Sequence, residues 1–317
     1  MTVRRLVFAG QAIVDVVLRV PALPERGSDV IATSAEITTG GGFNVMAAAA
    51  RQGLPVLYTG GHGTGPWGDL VRAALAAEGI TIIRPADPGR DTGFDVALVE
   101  PDGERTFATH LGAEALTSSW PDIPMTADDV VYISGYGLVG EAGGPGADSS
   151  GQSFGTPLGI SPWPPSAQLF IDPGPLVAQI PQAVLDQVLG RCDWLSCNQR
   201  EGALLTGVGE AAEAARLLLG RTDHANVIVR VGSAGCVLAV RGEEITRIPA
   251  PAVDVVDTTG AGDTHAGVFI ASLADGLSPE RAAARANAAA AFSVTRPGPA
   301  TSPARDALDA WLADRRG

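Results

Sequence analysis

Residues 257–267, Asp-Thr-Thr-Gly-Ala-Gly-Asp-Thr-His-Ala-Gly, join a loop of small residues to an apolar helical pattern that continues through Val268-Phe269-Ile270-Ala271. A glycine loop opening a helix leaves first-turn N–H groups without intrahelical acceptors, at the positive end of the helix dipole, and so suits an anion. Asp263 sits at that junction. A carboxylate there would repel a bound phosphate unless it has a task, and taking a proton from an attacking hydroxyl is the obvious one. Simple helix capping is the competing role for an isolated Asp. The rest of the chain favours the base.

Composition narrows the chemistry. At 317 residues, 45% hydrophobic and 18% charged, the chain can bury a large core and carries no overall signature of disorder. A net charge of −13 argues against nucleic acid or an anionic membrane as partner. All 22 basic residues are Arg and none is Lys. That excludes a Walker-type phosphate loop, the strand Lys of protein kinases and a pyridoxal-phosphate Schiff base. Phosphoryl chemistry would have to rest on backbone amides, Arg and metal. Cys192, Cys197 and Cys236 show no C-x-x-C spacing, so reduced core thiols in a cytoplasmic protein are expected. Arg4-Arg5 ahead of an apolar run mimics a signal peptide, but Gln11 and Asp15 interrupt the run and no stretch reaches transmembrane length. A first β-strand is expected there instead.

Along the chain, β-branched or alternating runs at 5–10, 13–18, 30–37, 94–100, 104–110, 130–134, 168–172, 194–197, 227–231 and 237–240 predict strands. Asp102-Gly103 between two of them is a hairpin signal. Helical patterns fall at 44–52, 67–78, 176–189, 210–219, 263–273, 280–294 and 305–313. Repeated β–α alternation predicts a layered sheet with helices on both faces. Residues 139–166, rich in Gly and Pro, break the rhythm where a crossover helix would be expected; they read as an irregular excursion, a functional lid or, preferably, a neutral insertion.

The segment Asp257-Thr-x-Gly-Ala-Gly-Asp263 resembles the second signature of the PfkB, or ribokinase-like, family of sugar and nucleoside kinases, and the resemblance extends over nearly the whole chain. It implies one α/β/α three-layer unit over residues 1–317, with a mostly parallel central sheet and a small β-lid from strands within 12–38 and 93–110. It also implies an ATP-dependent kinase acting on a primary hydroxyl of a small sugar or polyol. A nucleoside kinase and a catalytically silent sugar-sensing homologue are the alternatives. Asp263 would be the base, with Gly260, Ala261 and Gly262 supplying N–H groups to the migrating charge. A dinucleotide-dependent oxidoreductase is disfavoured, because Gly10-Gln11-Ala12-Ile13 lacks the G-x-G-x-x-G fingerprint.

The same resemblance assigns substrate contacts to Asp15, Gly41, Gly42 and Asn44, in a first signature that opens here with Thr39-Gly40 rather than Gly-Gly. Glycines admit a sugar ring close to the backbone, and Asn both donates to and accepts from hydroxyls. Arg105 on the lid would reach a substrate or simply be solvated. Asn198 and Glu201, an N-x-x-E motif, would hold Mg²⁺ largely through water. On the nucleotide side stand Arg230, Gly232, Gly235 and Asn287. Arg230 would pair with ATP phosphates or with an acidic neighbour. Asp257, Thr259, Ser293, Gly298 and Ser302 fall where the ribokinase subgroup places K⁺. His265 is expected to pack against the sheet. The implied partner is a small-molecule acceptor, with any homodimer formed through the lid.

Overall fold

A computed structural model describes residues 3–116, 123–139 and 166–315. The chain builds two sheets. β1 (Arg5–Phe8) opens the large one, then β2 (Ala12–Arg19) and β3 (Ser34–Gly41) cross to the small one. β4 (Val56–Tyr58) and β5 (Thr81–Ile82) return to the large sheet, and β6 (Phe94–Val99) with β7 (Arg105–His110) completes the small one. The rest of the large sheet is β8 (Asp129–Ser134), β9 (Gln168–Asp172), β10 (Trp194–Asn198), β11 (Asn226–Arg230), β12 (Cys236–Ala239) and β13 (Thr246–Ile248).

The large sheet runs β13-β12-β11-β10-β9-β8-β1-β4-β5, parallel throughout except at the β11–β12–β13 edge. The small sheet runs β3-β2-β6-β7, with β2 and β6 parallel and the outer pairs antiparallel.

Strand periodicity divides the core. Leu6, Phe8, Val130, Tyr132, Phe170 and Ile228 face one side, where they meet α1 (Phe43–Arg51), α2 (Pro66–Ala77), α6 (Ala261–Ala274), α7 (Pro279–Ser293) and α8 (Arg305–Asp314). Their neighbours Val7, Val131, Ile133, Leu169, Ile171, Val227 and Val229 face α3 (Gln182–Arg191), α4 (Gln199–Thr206) and α5 (Ala211–Arg221). Successive side chains of a strand point to opposite faces, so continuous apolar runs mark a sheet covered on both sides.

Two expectations shift. The strand expected at 30–37 lies at Ser34–Gly41, because β3 pairs with all of β2, from Arg19↔Ser34 to Ala12↔Gly41, and this carries the strand into the glycines. The helix expected at 176–189 is split into a 3-10 turn, Gly174–Gln179, and α3. Pro181 lacks an N–H and leaves Ile180 extended, so no helix continues through it. β4, β5 and β13, two or three residues each, are too short to show periodicity. Most of the Gly/Pro-rich 139–166 segment lies outside the described residues. The three cysteines are free and buried.

Candidate active site

The ends of the parallel strands carry the chemistry. β9 ends at Asp172, β10 at Asn198 and β11 at Arg230, all at the carboxyl edge where ligands of open α/β sheets bind. α6 opens at the same edge from Gly260, which takes a left-handed conformation at φ 70° and caps the helix without a side chain. Asp263 lies in its first turn. Ala261, Gly262 and Asp263 present first-turn amides there.

Why Asp263 meets Asn44 follows from packing. A Cβ on Gly267 would stand 2.5 Å from the Val45 carbonyl oxygen and 2.7 Å from the Ala48 side chain, so α1 and α6 can touch only through a bare backbone. The close crossing brings the start of α1 to the start of α6, and Asn44 Nδ2 donates to Asp263 Oδ2 at 3.3 Å. Burial raises the Asp263 carboxyl to about 6, helped by the charge of Asp172. A base with that affinity is suited to accept a proton near neutral pH.

Asp15 comes from β2, and Gly40 of β3 makes room for it. A Cβ on Gly40 would lie 1.9 Å from Asp15 Oδ2, and one on Gly42 would strike the Phe8 ring. Gly41 has φ +60°. Burial, then the charges of Asp95 and Asp263, raise Asp15 to about 7. Asp15, Asn44, the glycines and Asp263 thus share one site.

The other expected residues sort differently. The Arg105 guanidinium pairs with Asp257. Asp257 also accepts from the Thr259 amide at 2.9 Å, the Thr259 hydroxyl at 2.6 Å and the Gly298 amide at 3.1 Å. Asp257, Thr259 and Gly298 therefore converge. The Ser293 hydroxyl instead donates to Ala290 O at 2.9 Å, and Ser302 Oγ is buried without a partner. With four donors on the carboxylate, one of them a guanidinium, Asp257 does not fit a K⁺ ion while Arg105 is in place.

Arg230 is buried. Its Nη1 donates to Asp172 Oδ2 and Ser196 Oγ, each at 2.6 Å, and its Nη2 lies 3.7 Å from Glu201 Oε2. The acidic neighbour is thus its partner. Asn198 and Glu201 form a capping box: Asn198 Oδ1 accepts the Glu201 amide at 2.8 Å, while Glu201 accepts from the Asn198 amide at 2.7 Å and from Asn198 Nδ2 at 2.8 Å. Among the described residues no group of three His, Cys, Asp or Glu could hold a metal ion directly. The pair, already hydrogen-bonded to each other, fits a metal held through water.

Gly232 and Gly235 shape the turn after β11, at φ +62° and +95°. Asn287 is buried, with Nδ2 donating to Ile248 O at 2.9 Å, so it anchors the β13 edge. His265 is buried parallel to Phe269, and burial lowers it to about 3, which keeps it neutral.

Three residues escaped the sequence reading: Asp95 (paired in register with Asp15), Asp172 and Gly267. Asp172 had a usable signal, an acid ending a buried-type strand before Pro173-Gly174. Among the described residues no helix is long and apolar enough to cross a membrane.

Comparisons agree with this architecture. The profile of the pfkB family of carbohydrate kinases matches residues 3–143 and 170–306. An uncharacterized sugar kinase of Escherichia coli K12, YegV, is 32% identical over 316 residues, covering 97% of this chain and 94% of the relative. A ribokinase of Arabidopsis thaliana is 29% identical, covering 91% and 76%. The crystal structure of ribokinase from Thermotoga maritima superposes with a TM-score of 0.78 at 25% identity, covering 98% and 99%. The structure of Arabidopsis thaliana ribokinase complexed with ribose and ATP gives 0.75 at 24%, covering 98% and 99%. The chain belongs to the pfkB family and is a carbohydrate kinase of ribokinase fold.

Proposed function

We propose that the protein transfers the γ-phosphoryl group of ATP to a primary hydroxyl of a small sugar or polyol, with Asp263 as the base. The observation that carries this reading is the placement of Asp263: it lies in the first turn of α6 behind the glycine loop, hydrogen-bonded to Asn44 and raised to about 6. Asp263 takes the acceptor hydroxyl's proton as that oxygen attacks the γ-phosphorus. Asp15 and Asn44 orient the acceptor, and the amides of Ala261 and Gly262 donate to the migrating phosphoryl oxygens. Asn198 and Glu201 would hold Mg²⁺ through water, and the bound ion would neutralise charge on the donor phosphates. Arg230 stays charged between Asp172 and Glu201 and sets the local field beneath the loop, where a Cβ on Gly262 would lie 3.5 Å from its guanidinium.

The test is direct. Incubation with ATP and Mg²⁺ against a panel of pentoses, hexoses, polyols and nucleosides should give ADP and a phosphomonoester on a primary carbon, read by phosphorus NMR. Phosphorylation of a secondary hydroxyl alone would overturn the assignment of the attacking group.

A further inference from the structure

β2 and β6 are parallel neighbours, and Asp15 stands directly opposite Asp95 in their register. Partners in a parallel ladder point to the same face, so two carboxylates lie side by side over the site. Asp95 is 9% exposed. Neither Asp forms an ion pair among the described residues. Like charges taken out of water and placed together are costly, which holds the Asp15 carboxyl up at about 7, and donors brought by a ligand would relieve that cost.

Unpartnered atoms at this place share one character. Asp15 Oδ1, Asp95 Oδ1 and Asn44 Oδ1 are all buried without a hydrogen-bond partner. Asn44 is 6% exposed and its amide nitrogen is already engaged by Asp263. All three orphaned atoms are acceptors, so whatever satisfies them must bring donors. Arg105, on β7 of the lid, is held by Asp257.

We propose that Asp95 is a second specificity-determining residue, which with Asp15 and Asn44 selects an acceptor presenting adjacent hydrogen-bond donors, vicinal hydroxyls or a protonated amine, and bearing no anionic group. The proposal rests on the kinase reading above and adds a substrate class to it. A phosphorylated or carboxylated sugar would bring further negative charge to Asp15, Asp95 and Asp263, and among the described residues neither Asp15 nor Asp95 has an ion-pair partner.

The experiment uses the full chain as wild type, Asp95→Asn and Asp95→Ala. The probes are ribitol, D-ribose, D-fructose, D-glucosamine, fructose 6-phosphate and D-gluconate. ATP consumption gives KM and kcat, and the ligand-induced rise in Tm gives binding without turnover. The best neutral or amino probe should exceed both anionic probes in kcat/KM by about tenfold or more, and Asp95→Ala should raise its KM about tenfold, the size of one lost charged hydrogen bond. The KM for ATP should stay unchanged and kcat should hold within about threefold, since Asp95 is not asked to act on the transition state. Asp95→Asn should be milder with hydroxylated probes and as severe as Asp95→Ala with glucosamine if an ammonium group is what the pair reads.

An anionic probe ranking first, or a KM shift below about twofold in both variants, overturns the proposal. If no probe is phosphorylated but neutral or amino probes raise Tm in the wild type and not in Asp95→Ala, the transfer reading fails while the binding role of Asp95 stands. No turnover and no Tm rise with any non-anionic probe overturns it.

Discussion

Arg105, on the outer strand of the lid, is ion-paired with Asp257, the first residue of the glycine loop. The small sheet is thereby fastened to the segment that would bind donor phosphates. Burial works to raise the Asp257 carboxyl, but hydrogen bonds from Thr259 and Gly298 and the Arg105 guanidinium hold it down to about 2. The guanidinium also supplies positive charge where the family resemblance implied a monovalent cation.

Arg105→Ala should therefore do two things. Losing a partly buried ion pair should raise the acceptor KM by about threefold to tenfold as the lid loosens. The freed Asp257 carboxylate should make the variant respond to K⁺ more than the wild type does. Initial rates in potassium-free buffer, with K⁺ added back to each protein, check both. Equal K⁺ dependence in the two proteins would mean that Arg105 does not compete for the cation position.

Asp15 links the site to stability. Its carboxyl is raised to about 7 in the fold, so the folded chain binds a proton more tightly than the unfolded chain does. Stability from this group is full below the ordinary Asp value and is lost as pH rises from about 4 through about 7. Asp15→Asn, which removes the buried charge, should raise Tm at pH 7.5 and leave it nearly unchanged at pH 4. Acceptor binding should be lost at both. A Tm that falls equally at the two pH values would show that the carboxylate is structurally satisfied.

Glu201→Gln separates the capping and metal roles of one side chain. Gln keeps the capping contact with the Asn198 amide but cannot also accept from Asn198 Nδ2 and brings no charge to Arg230, so Tm should fall by about 2–4 °C. Without the carboxylate charge, the Mg²⁺ concentration for half-maximal rate should rise by about threefold or more. A Mg²⁺ titration of both proteins decides it; coincident curves would confine Glu201 to the cap.

Much of the fold was legible because its signals are local. Apolar runs at 130–134 and 227–231 mark strands covered on both faces, which the structure forms as Asp129–Ser134 and Asn226–Arg230, and Asp102-Gly103 marks the hairpin that β6 and β7 form. Register was less legible. β3 was expected four residues too early, because pairing with β2 rather than its own alternation sets where it ends. At the site, Asp15, Asn44 and Asp263 could be named from motifs. Asp95 could not, since its significance lies in standing opposite Asp15, 80 positions away in sequence. Gly267 was hidden for the same reason: a glycine inside a helix reveals its purpose only when the crossing helix is seen.

The measurement that bears most directly on the account is single-turnover phosphoryl transfer by Asp263→Asn, alongside ATP binding by calorimetry. The isosteric amide keeps an oxygen for Asn44 and the shape of the α6 turn, but cannot take a proton. Turnover should fall by about 10²- to 10⁴-fold, the range for loss of a general base. ATP affinity should stay within about threefold of wild type, because the loop amides are untouched. A variant that keeps more than about a tenth of the wild-type rate, with ATP still bound, would contradict the assignment of Asp263 as the base.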